Sequence, residues 1–129
     1  MSKTMIDKIF KDFIILNSGK MIFPEEIEEF YTKVAPIKEM CVFTVIGMDG
    51  VRRSKVLWAV IRPDLESFRK FAVVNLHLAI KERFDETSPE LPAYKRLKGF
   101  TITLSDLPHT IFGKLDRYAV KEVYEPRVR

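Results

Sequence analysis

The chain has 129 residues, enough for one domain that buries about two-thirds of its unfolded surface. With 47% apolar residues, 31% charged residues and apolar runs of only a few residues, the composition excludes a disordered chain and a membrane-spanning helix. A net charge of +4 is scattered except at Arg52-Arg53, at Lys95-Arg96-Lys98 and in the Arg127/Arg129 tail, with no aromatic-interleaved basic stripe, so nucleic acid is not an expected partner.

Phe13-Ile14-Ile15-Leu16 and Met21-Ile22-Phe23 flank Asn17-Ser18-Gly19-Lys20 and read as a β-hairpin. Pro24 followed by Glu25 and Glu26 suits a helix start, and Ile27, Phe30, Tyr31 and Val34 give that helix one apolar face. Cys41 to Ile46 reads as a buried strand, Met48-Asp49-Gly50 as a turn, and Lys55 to Ile61 as the partner strand, halted at Pro63. Asp64 is placed to cap one long helix whose stripe is Phe68, Phe71, Ala72, Leu76, Ala79, Ile80 and Phe84, closed by Thr87-Ser88-Pro89. Gly99 to Leu104 alternates as a strand, and Asp116 is placed to cap a last helix through Tyr124. The expected fold class is α+β: a small central sheet of about three strands flanked by helices and preceded by a β-hairpin.

Three segments carry chemistry by resemblance. Leu107-Pro108-His109-Thr110-Ile111-Phe112-Gly113-Lys114-Leu115-Asp116-Arg117 places one lysine behind a turn glycine, where a compact ammonium can reach an oxyanion or a phosphate. On spacing alone this is an ordinary exposed loop lysine. The segment, however, resembles the C-terminal lysine motif of the adenylate-forming superfamily, which includes acyl-CoA synthetases, peptide-synthetase adenylation domains and firefly luciferases. Residues 11–28, from Lys11-Asp12 through Asn17-Ser18-Gly19-Lys20 to Pro24-Glu25-Glu26-Ile27-Glu28, resemble the hinge motif of long-chain acyl-CoA synthetases. Leu91-Pro92-Ala93-Tyr94-Lys95-Arg96 is similar to the run before the last strand of these enzymes. The three occur in the family's order and at about its spacing.

The resemblance implies the mobile C-terminal lid of an AMP-forming acid–thiol ligase. Lys114 would be the adenylation lysine, with Gly113, Asp116 and Arg117 supporting its loop. Lys11 and Asp12 would form the hinge, and Ser18, Gly19 and Lys20 would line the pantetheine channel, with Lys20, Arg52 and Arg53 as candidates for CoA phosphates. ATP with Mg and CoA would serve the complete enzyme, without tight binding to this chain alone. The partners implied are an N-terminal adenylation domain, in cis or in trans, and an acyl-carrier protein. No Gly-rich phosphate loop occurs among the five glycines, so that domain is expected to be missing here. The family's Gly-Arg ahead of the hinge is Lys8-Ile9, which leaves a non-catalytic lid-fold module binding a carrier or a ligase as the alternative.

Other residues carry structural expectations. Cys41 should be packed in a core strand, and as the sole cysteine, in a chain whose first residues include Lys3, Asp7 and Lys8, it suits the reducing cytoplasm. His77 has no partner at ligand spacing, so no metal site is expected. Glu25, Glu26, Glu28 and Glu29 read as a solvated helix face, His109 as a tolerated loop residue and Trp58 as a core or interface anchor. The acyl substrate, and the choice between CoA and a carrier as acceptor, are not legible.

Overall fold

The computed structural model describes residues 13–49, 51–70 and 75–126. Strands β1 (Ile14–Ile15) and β2 (Met21–Ile22) form an antiparallel hairpin that leads into helix α1 (Pro24–Thr32). Long strands β3 (Ile37–Asp49) and β4 (Arg52–Pro63) follow, then helices α2 (Leu65–Lys70) and α3 (Leu76–Thr87). Two short 3-10 turns lead to strand β5 (Leu97–Ile102), and helix α4 (Arg117–Tyr124) completes the described chain. The main sheet has the order β3-β4-β5, with β3 antiparallel and β5 parallel to β4. This is the expected α+β architecture.

Helices cover both faces of the sheet, which is why its strands are nearly continuously apolar. Met40 and Val42 of β3 and Leu57, Ala59 and Ile61 of β4 point to one face, where they pack with Ile27, Tyr31, Phe68, Ile80 and Phe84 of the first three helices. The alternate residues Cys41, Phe43, Val45 and Val60 meet Val120 of α4 and Leu107 of the preceding loop on the other face. Tyr31, fully buried, donates to or accepts from Ser88 Oγ at 2.8 Å and ties α1 to the end of α3. Trp58 is half-buried and packs against Gly99 of β5, where a Cβ would fall within the van der Waals envelope of the indole.

Three expectations change. The single helix after Asp64 is two helices: Asn75 is extended (φ −117, ψ 98), and its side-chain oxygen accepts the Leu78 N–H at 3.0 Å, so α3 starts afresh. An asparagine caps a helix better than it continues one. Strand β5 begins and ends two residues before the expected span. Leu97 already pairs with Leu57, and Thr103 leaves the strand to accept the Ser105 N–H on its own hydroxyl. Strands β3 and β4 are longer than the hydrophobic runs that signalled them, because their pairing continues to Asp49↔Arg52. Among the described residues no helix is long and apolar enough to cross a membrane.

Candidate functional site

The lysine turn is anchored by Leu107, 2% exposed, and by half-buried Leu115, both against the α4 side of the sheet. Between them the backbone closes on itself. Thr110 N–H donates to Lys114 O at 2.7 Å, Gly113 N–H to Thr110 O at 2.9 Å, and Asp116 N–H to Pro108 O at 2.9 Å. Gly113 has φ +79, a left-handed conformation that a side chain would strain. Ile111 (94%) and Phe112 (84%) stand in solvent at the tip, and Lys114 is exposed beside them. Asp116 caps α4, its carboxylate accepting the Ala119 N–H at 3.1 Å.

Arg117, the first residue of α4, reaches across the open edge of β3. Its guanidinium donates to both Glu28 oxygens, at 2.5 and 3.3 Å, and to Val42 O at 2.7 Å. Glu28 Oε2 also accepts the Val42 N–H at 2.7 Å. In an antiparallel pair both backbone groups of alternate residues point away from the partner strand, and those of Val42 are satisfied by this ion pair instead of by another strand. Glu28 is therefore not on a solvated face: its side chain is 13% exposed and that of Arg117 15%. The sequence signal was its place on α1, one residue after buried Ile27 and three before buried Tyr31, at the margin of the apolar stripe. Burial pushes the Glu28 carboxyl above its usual range, and the Arg117 guanidinium and the Val42 N–H pull it back only in part.

A second polar chain holds the other leg of the turn. His109 Nε2 lies 2.7 Å from Glu39 Oε1 on β3. Glu39 Oε2 in turn accepts from Arg62 of β4 at 3.3 Å, and Arg62 pairs with Asp106 at 2.6 Å. Sequence reasoning missed Glu39 and Arg62 because their pairing needs the β3–β4 register, in which Glu39 and Arg62 stand opposite each other.

The hairpin loop is built like the lysine turn. Leu16 N–H donates to Lys20 O and Gly19 N–H to Leu16 O, both at 2.9 Å, with Gly19 at φ +86. Asn17 docks it on β4 by accepting the Lys55 N–H at 2.8 Å. Lys20 Nζ lies 4.6 Å from the centre of the Tyr94 ring, a cation–π contact. Ser18 and Lys20 join Ser54, Lys55, Tyr94, Arg96 and Lys98 around an open groove of about 520 Å³. Four cations and no carboxylate line it, so its chemistry suits a phosphate-bearing ligand. Arg52 and Arg53 are exposed at the far end of the β3–β4 ribbon, outside this lining. Thr110, Leu115, Asp116 and Arg117 border a separate hollow of about 420 Å³ with Phe13, Ile14 and Tyr118. The hairpin thus touches both concavities, whereas Lys20 lines the basic groove and the neighbours of Lys114, but not Lys114 itself, border the second. The hinge residues Lys11 and Asp12, like Lys8 and Ile9, lie outside the described residues. His77 stacks on Phe100 at 4.4 Å, and Cys41 is buried. Among the described residues no three metal-ligating side chains cluster.

No protein-family model matches the sequence, and no curated protein does. Solved structures do. The chain is 22% identical to apo MatB from Rhodopseudomonas palustris, with TM-score 0.66 over 90% of its length and 20% of that chain. It is 21% identical to a fatty acyl CoA synthetase of Mycobacterium tuberculosis, with TM-score 0.63 over 88% of its length and 20% of that protein. Against the adenylation domain of a carboxylate reductase from Mycobacterium chelonae it is 23% identical, with TM-score 0.63 over 88% of its length and 18% of that chain. The chain therefore spans about a fifth of the length of each and shares the fold of that fifth. The fold expected from the three motifs is the one found.

Proposed function

We propose that this chain is the mobile C-terminal unit of an AMP-forming acid–thiol ligase and supplies Lys114 to a larger adenylating domain in cis or in trans. The observation that carries the reading is an exposed lysine on a hydrogen-bonded glycine turn. The turn stands at the end of a fold that makes up about a fifth of chains such as ATP-bound MatB.

In adenylation a substrate carboxylate oxygen attacks the α-phosphorus of ATP, the bond to the β-phosphate oxygen breaks, and pyrophosphate leaves. Two anions must approach, and charge grows on the phosphoryl oxygens. The Lys114 ammonium would bridge carboxylate and phosphate once the unit closes on the larger domain and excludes water. Mg²⁺ would arrive with ATP, and this chain contributes no ligand to it in the scheme. In the second step a thiolate attacks the acyl carbonyl and AMP leaves. The unit would turn about Lys11-Asp12 and present Ser18, Gly19 and Lys20 to the thiol arm of CoA or of a carrier protein. The cationic groove beside them, with Lys20, Lys55, Arg96 and Lys98, supports a phosphate-bearing acceptor. The buried Cys41 suits a reducing cytoplasm.

The test is Lys114→Ala in the complete ligase, with the two half-reactions read separately. Pyrophosphate exchange should fall while thioester formation from a supplied acyl-adenylate continues. Unchanged pyrophosphate exchange would remove Lys114 from the mechanism and leave the non-catalytic lid-fold module as the better reading.

A further inference from the structure

The lysine turn presents a mechanical problem. No residue between Pro108 and Lys114 is buried, and its two largest apolar side chains, Ile111 and Phe112, are in solvent. Apolar packing therefore seats the ends of the turn, at Leu107 and Leu115, but does not orient its tip. The internal hydrogen bonds fix the shape of the turn, not its direction relative to the sheet.

Direction comes from two carboxylates. On the outgoing leg, Glu28 of α1 holds Arg117 in a two-oxygen pair while both side chains bind the backbone of Val42. On the incoming leg, Glu39 of β3 takes His109 on one oxygen and Arg62 on the other. Arg117 follows the Asp116 cap directly, and His109 pairs across the turn with Leu115. The carboxylates thus act one residue before the Thr110–Lys114 loop, at His109, and three residues after it, at Arg117, and both connect it to β3, the strand whose outer edge faces α1 and α4.

We propose that Glu28 and Glu39 are positioning residues for Lys114: two carboxylate tethers, one on each leg, that hold the turn at a fixed angle to the sheet so that the ammonium enters a partner's site already aimed. The inference rests on the reading of Lys114 given above. The tethers are polar, and this has a reason. A turn that must be inserted into and withdrawn from a second domain cannot bury its tip in its own core, so directional bonds at its base replace packing. An oriented ammonium needs no rearrangement when charge develops, which is the condition under which such a group contributes most.

Two readouts test this. In the 129-residue chain, amide exchange followed by NMR should be roughly tenfold faster at Thr110, Gly113 and Asp116 in Glu28→Gln and in Glu39→Gln, with Val60 and Ile80 unchanged. In the complete ligase the same variants should slow pyrophosphate exchange by about tenfold through kcat, leave the KM for ATP in place and spare thioester formation from a supplied acyl-adenylate. Arg117→Lys, which keeps the charge and loses the fork, should behave like Glu28→Gln. Unaltered turn amides would overturn the proposal. So would faster exchange everywhere together with an equal loss in both half-reactions, because the carboxylates would then serve only stability. If instead Lys114→Ala leaves adenylation intact, the catalytic part of the inference falls with the reading of Lys114, and the exchange rates still decide whether the tethers hold the turn.

Discussion

The molecule contains two Gly-Lys turns of the same design. In Leu16–Lys20 and in Thr110–Lys114 a first residue exchanges backbone hydrogen bonds with the lysine and the glycine, and each glycine is left-handed, at φ +86 and +79. Their surroundings differ completely. Lys20 rests over Tyr94 at the rim of a basic groove, docked to β4 through Asn17. Lys114 stands beside two exposed apolar side chains on a turn whose base is held by carboxylates of β3 and α1. The same local chemistry thus yields one exposed lysine resting over an aromatic ring of its own domain and another beside exposed apolar side chains. The difference lies in what each turn is fastened to.

The largest effect should separate the two lysines. Lys114→Ala should slow adenylation by roughly 100- to 1,000-fold, the usual loss for one preorganised charge donor. Lys20→Ala should leave adenylation alone and weaken only the thioester step. Equal losses from both variants would erase the distinction.

Next in size is the outgoing tether. Arg117→Met leaves Glu28 buried without its partner and should cost about 3 kcal/mol of stability near neutral pH, read by denaturant unfolding. Protonating Glu28 relieves that cost, so the deficit should shrink in acid. The wild-type sign follows from the raised Glu28 pKa. The folded state holds this proton more tightly than the unfolded chain, so the contribution of the group is complete below the unfolded value of 4.5. It is lost as pH rises through the folded value. Glu28→Gln should flatten that part of the stability profile, and an unchanged profile would contradict the burial of the carboxyl.

The glycines should cost the same in stability and differ in function. Gly19→Ala and Gly113→Ala each force a side chain into left-handed backbone, at about 1 kcal/mol apiece. Neither added Cβ meets another atom within 4 Å, so the cost is conformational in both turns. Thermal unfolding should shift equally, whereas only Gly113→Ala should slow adenylation. The smallest effect is at the platform: Tyr94→Leu removes the cation–π contact to Lys20 and should cost about 0.5–1 kcal/mol, with no effect on the Lys114 turn.

Much of this was legible beforehand. The hairpin, α1 and the Asp116 cap follow from local signals: turn glycines, Pro24 at a helix start, and a side-chain oxygen three residues before the amide that it binds. The β-preferring runs of β3 and β4 signalled two paired strands but not their length, since pairing ran on into Asp49 and Arg52, which carry no apolar signal. The break at Asn75 was hidden by apolar spacing that continues across it. Glu28 was misread because a run of glutamates on a helix looks solvated until the opposite strand edge supplies an amide and an arginine.

The sequence by itself determined the two glycine turns, the helix starts and the apolar faces, because each depends on contacts within a few residues along the chain. Tertiary structure alone decided which lysine rests over an aromatic ring, which carboxylates hold the turn of the other and that four separated cations share one groove. Those outcomes join residues as distant as Glu28 and Arg117, 89 positions apart, and depend on strand register and sheet edges that no local pattern encodes.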